Sequence, residues 1–323
     1  MSLNNELSVS ELYNYNGINP KPKDFDLFWS DGLNEVYSID PKIELRKSDF
    51  TFPFGECFDL YFTGTKNARI YAKLLKPKDQ KSKGPGLLIF HGYSGNSGGW
   101  SEKPSKLAYV AAGFTVVAMD CRAQGGKSSD SGDRLGWSLR GHIVRGLKDS
   151  PKNLYYRDVF LDSVQLARIL MSFDGVDECR IAATGESQGG GLSLACASLV
   201  PTIKKVAPIF PFLCDYQRAW QFDTPDNAYQ EIREYLRRFH PQDRDVSEVF
   251  NKLGYIDIQH FVSRITGETL MATALADTRC PPSTQFAVFN KINSKKHIEI
   301  YPNYGHERLP EHDDRIFQFL MSL

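Results

Sequence analysis

The chain lacks excess charge of either sign: 39 Lys+Arg stand against 39 Asp+Glu in 323 residues. Without a basic stripe it has no electrostatic footprint for a nucleic acid. No apolar run approaches the roughly 20 residues that span a bilayer, so no membrane partner is expected. The opening MSLNNELSVSELYNYNG has neither the basic start nor the apolar stretch of a secretory signal. Cysteine is scarce, and Cys57, Cys121, Cys179, Cys196, Cys214 and Cys280 form no C-x-x-C. Several lie in apolar runs such as LACASL, which reads as buried free thiols in a cytoplasmic protein, not a disulfide framework. H-E-x-x-H, the phosphate-binding G-x-x-x-x-G-K-[ST] and a G-x-G-x-x-G after a strand are also missing. No metal and no cofactor are therefore expected. Internal repeats, heptads and low-complexity tracts are absent, which removes solenoids and coiled coils.

What remains is the composition of a globular protein, 41% hydrophobic and 24% charged. The length suits one large α/β domain over 1–323 with a sizeable core. Residues 1–80 read as an extension followed by strands. Pro20–Trp29 gives a turn and a short amphipathic helix, and Phe58–Phe62 and Ala68–Leu75 alternate as antiparallel strands. From Gly86 the texture changes. Buried strands are expected at Gly86–Phe90, Phe114–Met119, Arg180–Thr184, Lys205–Ile209, Thr269–Leu275 and His297–Tyr301. Helices are expected at Pro104–Ala112, Arg157–Phe173, around Ser283–Ile292 and at Asp314–Leu323. Short apolar strands alternating with helices predict a mostly parallel sheet with helices on both faces, as in the α/β-hydrolase fold. Residues 210–265 interrupt that rhythm with helix alone. They read as an insertion at the carboxyl ends of the strands, where such sheets hold their ligands.

Gly185-Glu186-Ser187-Gln188-Gly189 is a G-x-S-x-G between the strand RIAAT and the helix-forming QGGGLSLACASL. That context predicts a nucleophile elbow, in which a tight strand-to-helix turn exposes the Ser187 hydroxyl. A glycine-rich strand-to-helix turn without chemistry is the plain alternative. Serine attacks only when a base takes its proton. In this fold the base follows the nucleophile, with a carboxylate between them. His306, in the loop after HIEIYP, is the candidate base. His240 reads as solvent-facing, His260 as packing, His297 as held in the sheet and His312 as surface. Asp277 ends a strand ahead of Arg279-Cys280-Pro281-Pro282 and is the preferred acid. Asp215, one strand after the elbow, is its rival, and an N-cap is the plain alternative for Asp277. The oxyanion needs two donors: the backbone N–H groups of Gln188 and of Tyr93, in the loop His91–Asn96.

Several strings resemble the cephalosporin-C deacetylase and acetyl xylan esterase family, carbohydrate esterase family 7. They are LLIFHGYSG, GHIVRGLKDSP, GESQGGGLSLACASL, KLGYIDIQHFV, DTRCPPSTQF and YPNYGHE, with PKPKDFDLFW at the start. The resemblance covers nearly the whole chain. It implies Ser187, Asp277 and His306 as the triad and Tyr93 and Gln188 at the oxyanion hole. It implies deacetylation of short xylo-oligosaccharides and of cephalosporin C, in a homohexamer whose sites face an inner cavity. Arg122 and Gln124 match a structural Arg-Gly-Gln motif, but Ala123 replaces its glycine. If that glycine needs φ > 0, alanine costs about 1 kcal/mol or the loop shifts. Two other readings of the residues stay open. One is a serine peptidase of the same fold, with the insertion as a lid. The other is a non-catalytic binding protein on this scaffold.

Overall fold

The computed structural model describes residues 6–102, 105–132, 134, 141–224, 226–242 and 245–323. Before the sheet come α1 (Val9–Leu12) and α2 (Phe25–Ser38). The sheet consists of β1 (Glu44–Lys47), β2 (Gly55–Thr63), β3 (Arg69–Pro77), β4 (Gly84–Phe90), β5 (Thr115–Met119), β6 (Val176–Glu186), β7 (Lys205–Ile209), β8 (Glu268–Ala274) and β9 (Lys296–Tyr301). Its order is β1-β2-β3-β5-β4-β6-β7-β8-β9. The β1–β2, β2–β3 and β3–β5 pairs are antiparallel, and every pair from β5–β4 to β8–β9 is parallel. This is the α/β-hydrolase arrangement.

The inner segments of the central parallel strands are apolar because helices cover both faces. Leu87, Leu88, Val116, Val117, Ala182 and Ala183 are fully buried. The flanking helices are α3 (Lys106–Ala111), α4 (Tyr155–Met171), α5 (Gln188–Leu199), α9 (Pro282–Lys291) and α10 (His312–Met321). The expected helical insertion contains α6 (Tyr216–Trp220), α7 (Gln230–Phe239), α8 (Val246–Leu253) and three single-turn 3₁₀ segments.

Several expectations need correction. Proline at 104 lies outside the described residues, and the helix expected there is described from Lys106. The sequence reading did not anticipate β1, a charged edge strand whose mean burial pattern is exposed. Cys179 is exposed, while the other five cysteines are buried. His297 projects from β9 into solvent. His312 is buried instead of lying on the surface, its Nδ1 3.6 Å from Glu299. His240 is half-buried beside Tyr235, and His260 packs against Phe25 as expected. No helix among the described residues is long and apolar enough to cross a membrane.

Candidate active site

The carboxyl ends of β4, β6, β7, β8 and β9 meet at Ser187. This residue joins β6 to α5 with φ 54° and ψ −117°, a backbone conformation rarely adopted by a residue with a side chain. A Cβ at Gly185 would lie 2.5 Å from the Phe90 carbonyl oxygen, and one at Gly189 only 2.0 Å from it. Only glycine allows β4 and α5 to approach so closely. The strained turn is pinned on both sides. Ser187 N–H donates to Ile209 O at 2.9 Å, and Ser187 O accepts from Phe212 N at 2.9 Å and Gly191 N at 3.0 Å.

His306 lies in the loop after β9, with Nδ1 2.8 Å from Asp277 Oδ2. Asp277 is fully buried in the turn after β8. Its Oδ1 accepts the N–H groups of Arg279 and Cys280, both at 2.9 Å. Those bonds orient the carboxylate so that its other oxygen faces the ring. A carboxylate only accepts, so His306 carries its proton on Nδ1 and keeps the Nε2 lone pair. The Phe210 ring packs 4.4 Å from the imidazole. No Ser187–His306 hydrogen bond forms among the described residues; in sites of this kind that bond often tightens only with substrate. The hydroxyl instead has Cys280 within reach. Burial and then the Asp277 charge push the Cys280 thiol well above its ordinary pKa, partly offset by a hydrogen bond with Ser187. The donor atoms of Asp277, Cys280 and His306 lie within 4.8 Å of one another. A metal there would need a thiolate, which this environment opposes.

Asp215, the rival acid, lies elsewhere. Its carboxylate accepts Tyr15 Oη at 2.7 Å, Ile18 N at 3.1 Å and Asn19 N at 2.9 Å. It fastens the N-terminal segment and makes no contact with His306. Glu307 accepts Gly305 N at 3.1 Å.

Tyr93 lies in the loop after β4, and Gln188 opens the first turn of α5 directly after Ser187. The first N–H groups of a helix have no intrahelical acceptor, so the α5 N-terminus offers donors at the elbow. Gln124 links the two sides. Its Nε2 donates to Gln188 Oε1 at 2.8 Å and its Oε1 accepts Ser94 N at 3.0 Å. Arg122 is buried in a charge cluster. It donates to Asp162 Oδ2 at 2.7 Å and Oδ1 at 2.6 Å, with Asp130 at 3.4 Å. Removing such a buried cation leaves unpaired carboxylates, at a cost of about 3–5 kcal/mol. Between these two residues, Ala123 has φ 52°. The loop therefore keeps a left-handed residue despite the alanine.

Two residues went unnoticed in the sequence. His142 stacks on Tyr155 at 4.2 Å and meets the Tyr93 ring edge-on at 5.9 Å. Glu231, on α7, is fully buried and reaches Ile143 N at 2.7 Å. His142 sits in the quoted string GHIVRGL, which was the available signal. Glu231 had none, because on a polar helix it looks like any solvated acid.

The acetyl xylan esterase (AXE1) family model matches residues 1–323. The crystal structure of acetyl xylan esterase 1 from Thermoanaerobacterium sp. JW/SL YS485 is 52% identical, with a TM-score of 0.95 over 98% of this chain and 99% of that one. An acetyl xylan esterase from Paenibacillus sp. R4 is 33% identical, with a TM-score of 0.91 over 98% of this chain and 99% of that one. The acetyl esterase Axe7A of Xylanibacter ruminicola is 27% identical over 290 residues, 88% of this chain. The chain spans 63% of that relative's length. The chain belongs to the acetyl xylan esterase family and, with it, to the carboxylic ester hydrolases.

Proposed function

We propose that this chain is a serine esterase that removes acetyl groups from short acetylated carbohydrates, xylo-oligosaccharides above all, and from cephalosporin C. The observation that carries the reading is the 2.8 Å bond between His306 Nδ1 and Asp277 Oδ2, formed beside a strained serine elbow. Nε2 of His306 takes the Ser187 proton as the oxygen attacks the ester carbonyl. Asp277 stabilises the imidazolium, and the Tyr93 and Gln188 N–H groups hold the oxyanion. Collapse expels the alcohol, which takes the proton from His306, and leaves an acetyl-enzyme. Water, deprotonated by His306, then attacks the acetyl carbonyl, and collapse frees the acid as Ser187 Oγ leaves and takes that proton back from His306. No cofactor or metal takes part in these steps. A cavity of about 880 Å³ beside the elbow supports a carbohydrate leaving group. Its lining includes Asn96, Ser97, Glu186 and Arg308 beside Tyr109 and Phe317, a mix of polar groups and rings suited to a sugar. The free cysteines support a reducing compartment, the cytoplasm.

The test is a series of p-nitrophenyl esters of rising acyl length, run beside acetylated xylobiose and cephalosporin C. Acetyl esters should be preferred and both natural-type substrates deacetylated. Ser187→Ala should lower kcat by about 10⁴–10⁶-fold, and Asp277→Asn by roughly 10⁴-fold. Wild-type turnover of amides but not of these esters would support the peptidase, and full activity of Ser187→Ala would sink the serine mechanism.

A further inference from the structure

Tyr93 stands between two cavities. The larger is the one proposed above for the alcohol. The smaller, about 150 Å³, is lined by Tyr93, Gly141, Phe212, Ala228 and Glu231 among others. It adjoins the catalytic machinery at two points. Phe212 N–H is bonded to the Ser187 carbonyl at 2.9 Å, and Ala228 N–H to the Arg279 carbonyl, in the turn that carries Asp277, at 3.1 Å. At roughly 30 Å³ per water-sized group it holds about five such groups. That suits an acetyl to butyryl chain and excludes an octanoyl one.

Glu231 gives this cavity its chemistry. One carboxylate oxygen accepts Ile143 N–H at 2.7 Å. The other, Oε2, is buried with no hydrogen-bond partner. Burial pushes its pKa up to about 7, and the backbone N–H groups of Ile143, Val144 and Gly141 oppose that rise. At mildly alkaline pH it is a negative charge against the cavity wall, held among the described residues by backbone N–H groups. A Cβ built on Gly141 would lie 2.5 Å from Glu231 Oε1 and 3.3 Å from Tyr93 Oη. The carboxylate and the proposed oxyanion loop thus converge on one spot.

We propose that the smaller cavity receives the acyl group and that Glu231 makes it selective for uncharged acyl chains. An acyl group ending in a carboxylate, such as succinyl, is repelled in a site where water screens poorly. Deacylation releases a carboxylic acid that gives its proton to the medium, and the resulting acetate is driven out by the same charge. The inference rests on the esterase reading and adds what its acyl side recognises.

The test uses the full chain at pH 8 with p-nitrophenyl acetate, p-nitrophenyl butyrate and mono-p-nitrophenyl succinate. Wild type should hydrolyse the succinyl ester with kcat/KM at least about tenfold below the butyrate ester. Glu231→Gln keeps an acceptor oxygen and removes the charge. It should raise the succinyl-to-butyryl ratio about tenfold and tighten inhibition by acetate by a similar factor. Ala228→Leu, which fills the cavity, should lower the butyryl-to-acetyl ratio about tenfold. A wild type that takes succinyl and butyryl esters equally overturns the role of Glu231, whether or not the variant folds. An unchanged ratio in folded Glu231→Gln does the same, and an unchanged butyryl-to-acetyl ratio in Ala228→Leu overturns the placement of the acyl group. None of these results removes ester hydrolysis that depends on Ser187, so failure here stays distinct from failure of the esterase reading.

Discussion

Ala123 shows how a single residue stores strain next to a working site. Its φ of 52° puts a methyl group where glycine is at ease and alanine is not. The loop is held there by its neighbours. Arg122 is locked by Asp162, and Gln124 by Gln188 and Ser94. Left-handed alanine costs about 1–2 kcal/mol, against which glycine loses about 0.4–1 kcal/mol through its more flexible unfolded chain. Ala123→Gly should therefore stabilise the protein by up to about 1 kcal/mol, visible as a higher denaturant midpoint with an unchanged slope. A lower midpoint would mean that the methyl group makes contacts worth more than the strain.

At the scale of elements, Asp215 works as a tether. It sits in the insertion just before α6 yet accepts hydrogen bonds from Tyr15, Ile18 and Asn19. Its own N–H donates to Asp257 Oδ1 at 2.9 Å. This buried carboxylate thus gathers three bonds of the N-terminal segment onto the insertion, beside others such as Trp29 Nε1 to Tyr255 O at 2.8 Å. Asp215→Asn loses an acceptor and should cost about 1–3 kcal/mol. The amides of Ile18 and Asn19 should exchange faster, while kcat changes little. A crippled kcat with intact protection at those amides would instead assign Asp215 to catalysis. The same example marks where the sequence stops being readable. Asp215 and Asp277 both follow a strand, and the letters around them favour Asp277 without excluding Asp215. Only the folded chain shows that one carboxylate faces His306 and the other faces Tyr15. The core strands and the elbow were legible because apolar runs and tight glycine turns are local signals. The strand β1, the burial of His312 and the buried Glu231 were not. Each is decided by what distant segments pack against it.

At the scale of the molecule, apolar surface is unevenly distributed. Among the described residues, eight of the nine large hydrophobic side chains left exposed fall within the first 54 positions: Val9, Tyr13, Ile18, Leu27, Tyr37, Ile43, Leu45 and Phe54. Leu27 is the most exposed, at 72%. Segments outside the hydrolase core that keep such side chains in water are suited to self-complementary contacts. The charges of the edge strand β1, Glu44, Arg46 and Lys47, meanwhile discourage open-ended strand pairing. Closed assembly is therefore favoured over fibre growth. We expect a homohexamer built mainly on residues 1–80. Residues 210–265 should contribute less than the sequence alone suggested, because none of the exposed large hydrophobics among the described residues lies there. Light scattering should give a mass near six times 36.6 kDa. Leu27→Asp should lower that mass, since a carboxylate buried in a contact is costly. If the assembly encloses the sites, wild type should deacetylate short oligosaccharides quickly and intact xylan slowly, and the dissociated variant should lose that size preference while still cleaving small esters. A monodisperse wild-type monomer at working concentration would refute the assembly and remove the physical basis for size selection, leaving Ser187, His306 and Asp277 to be judged on their own chemistry.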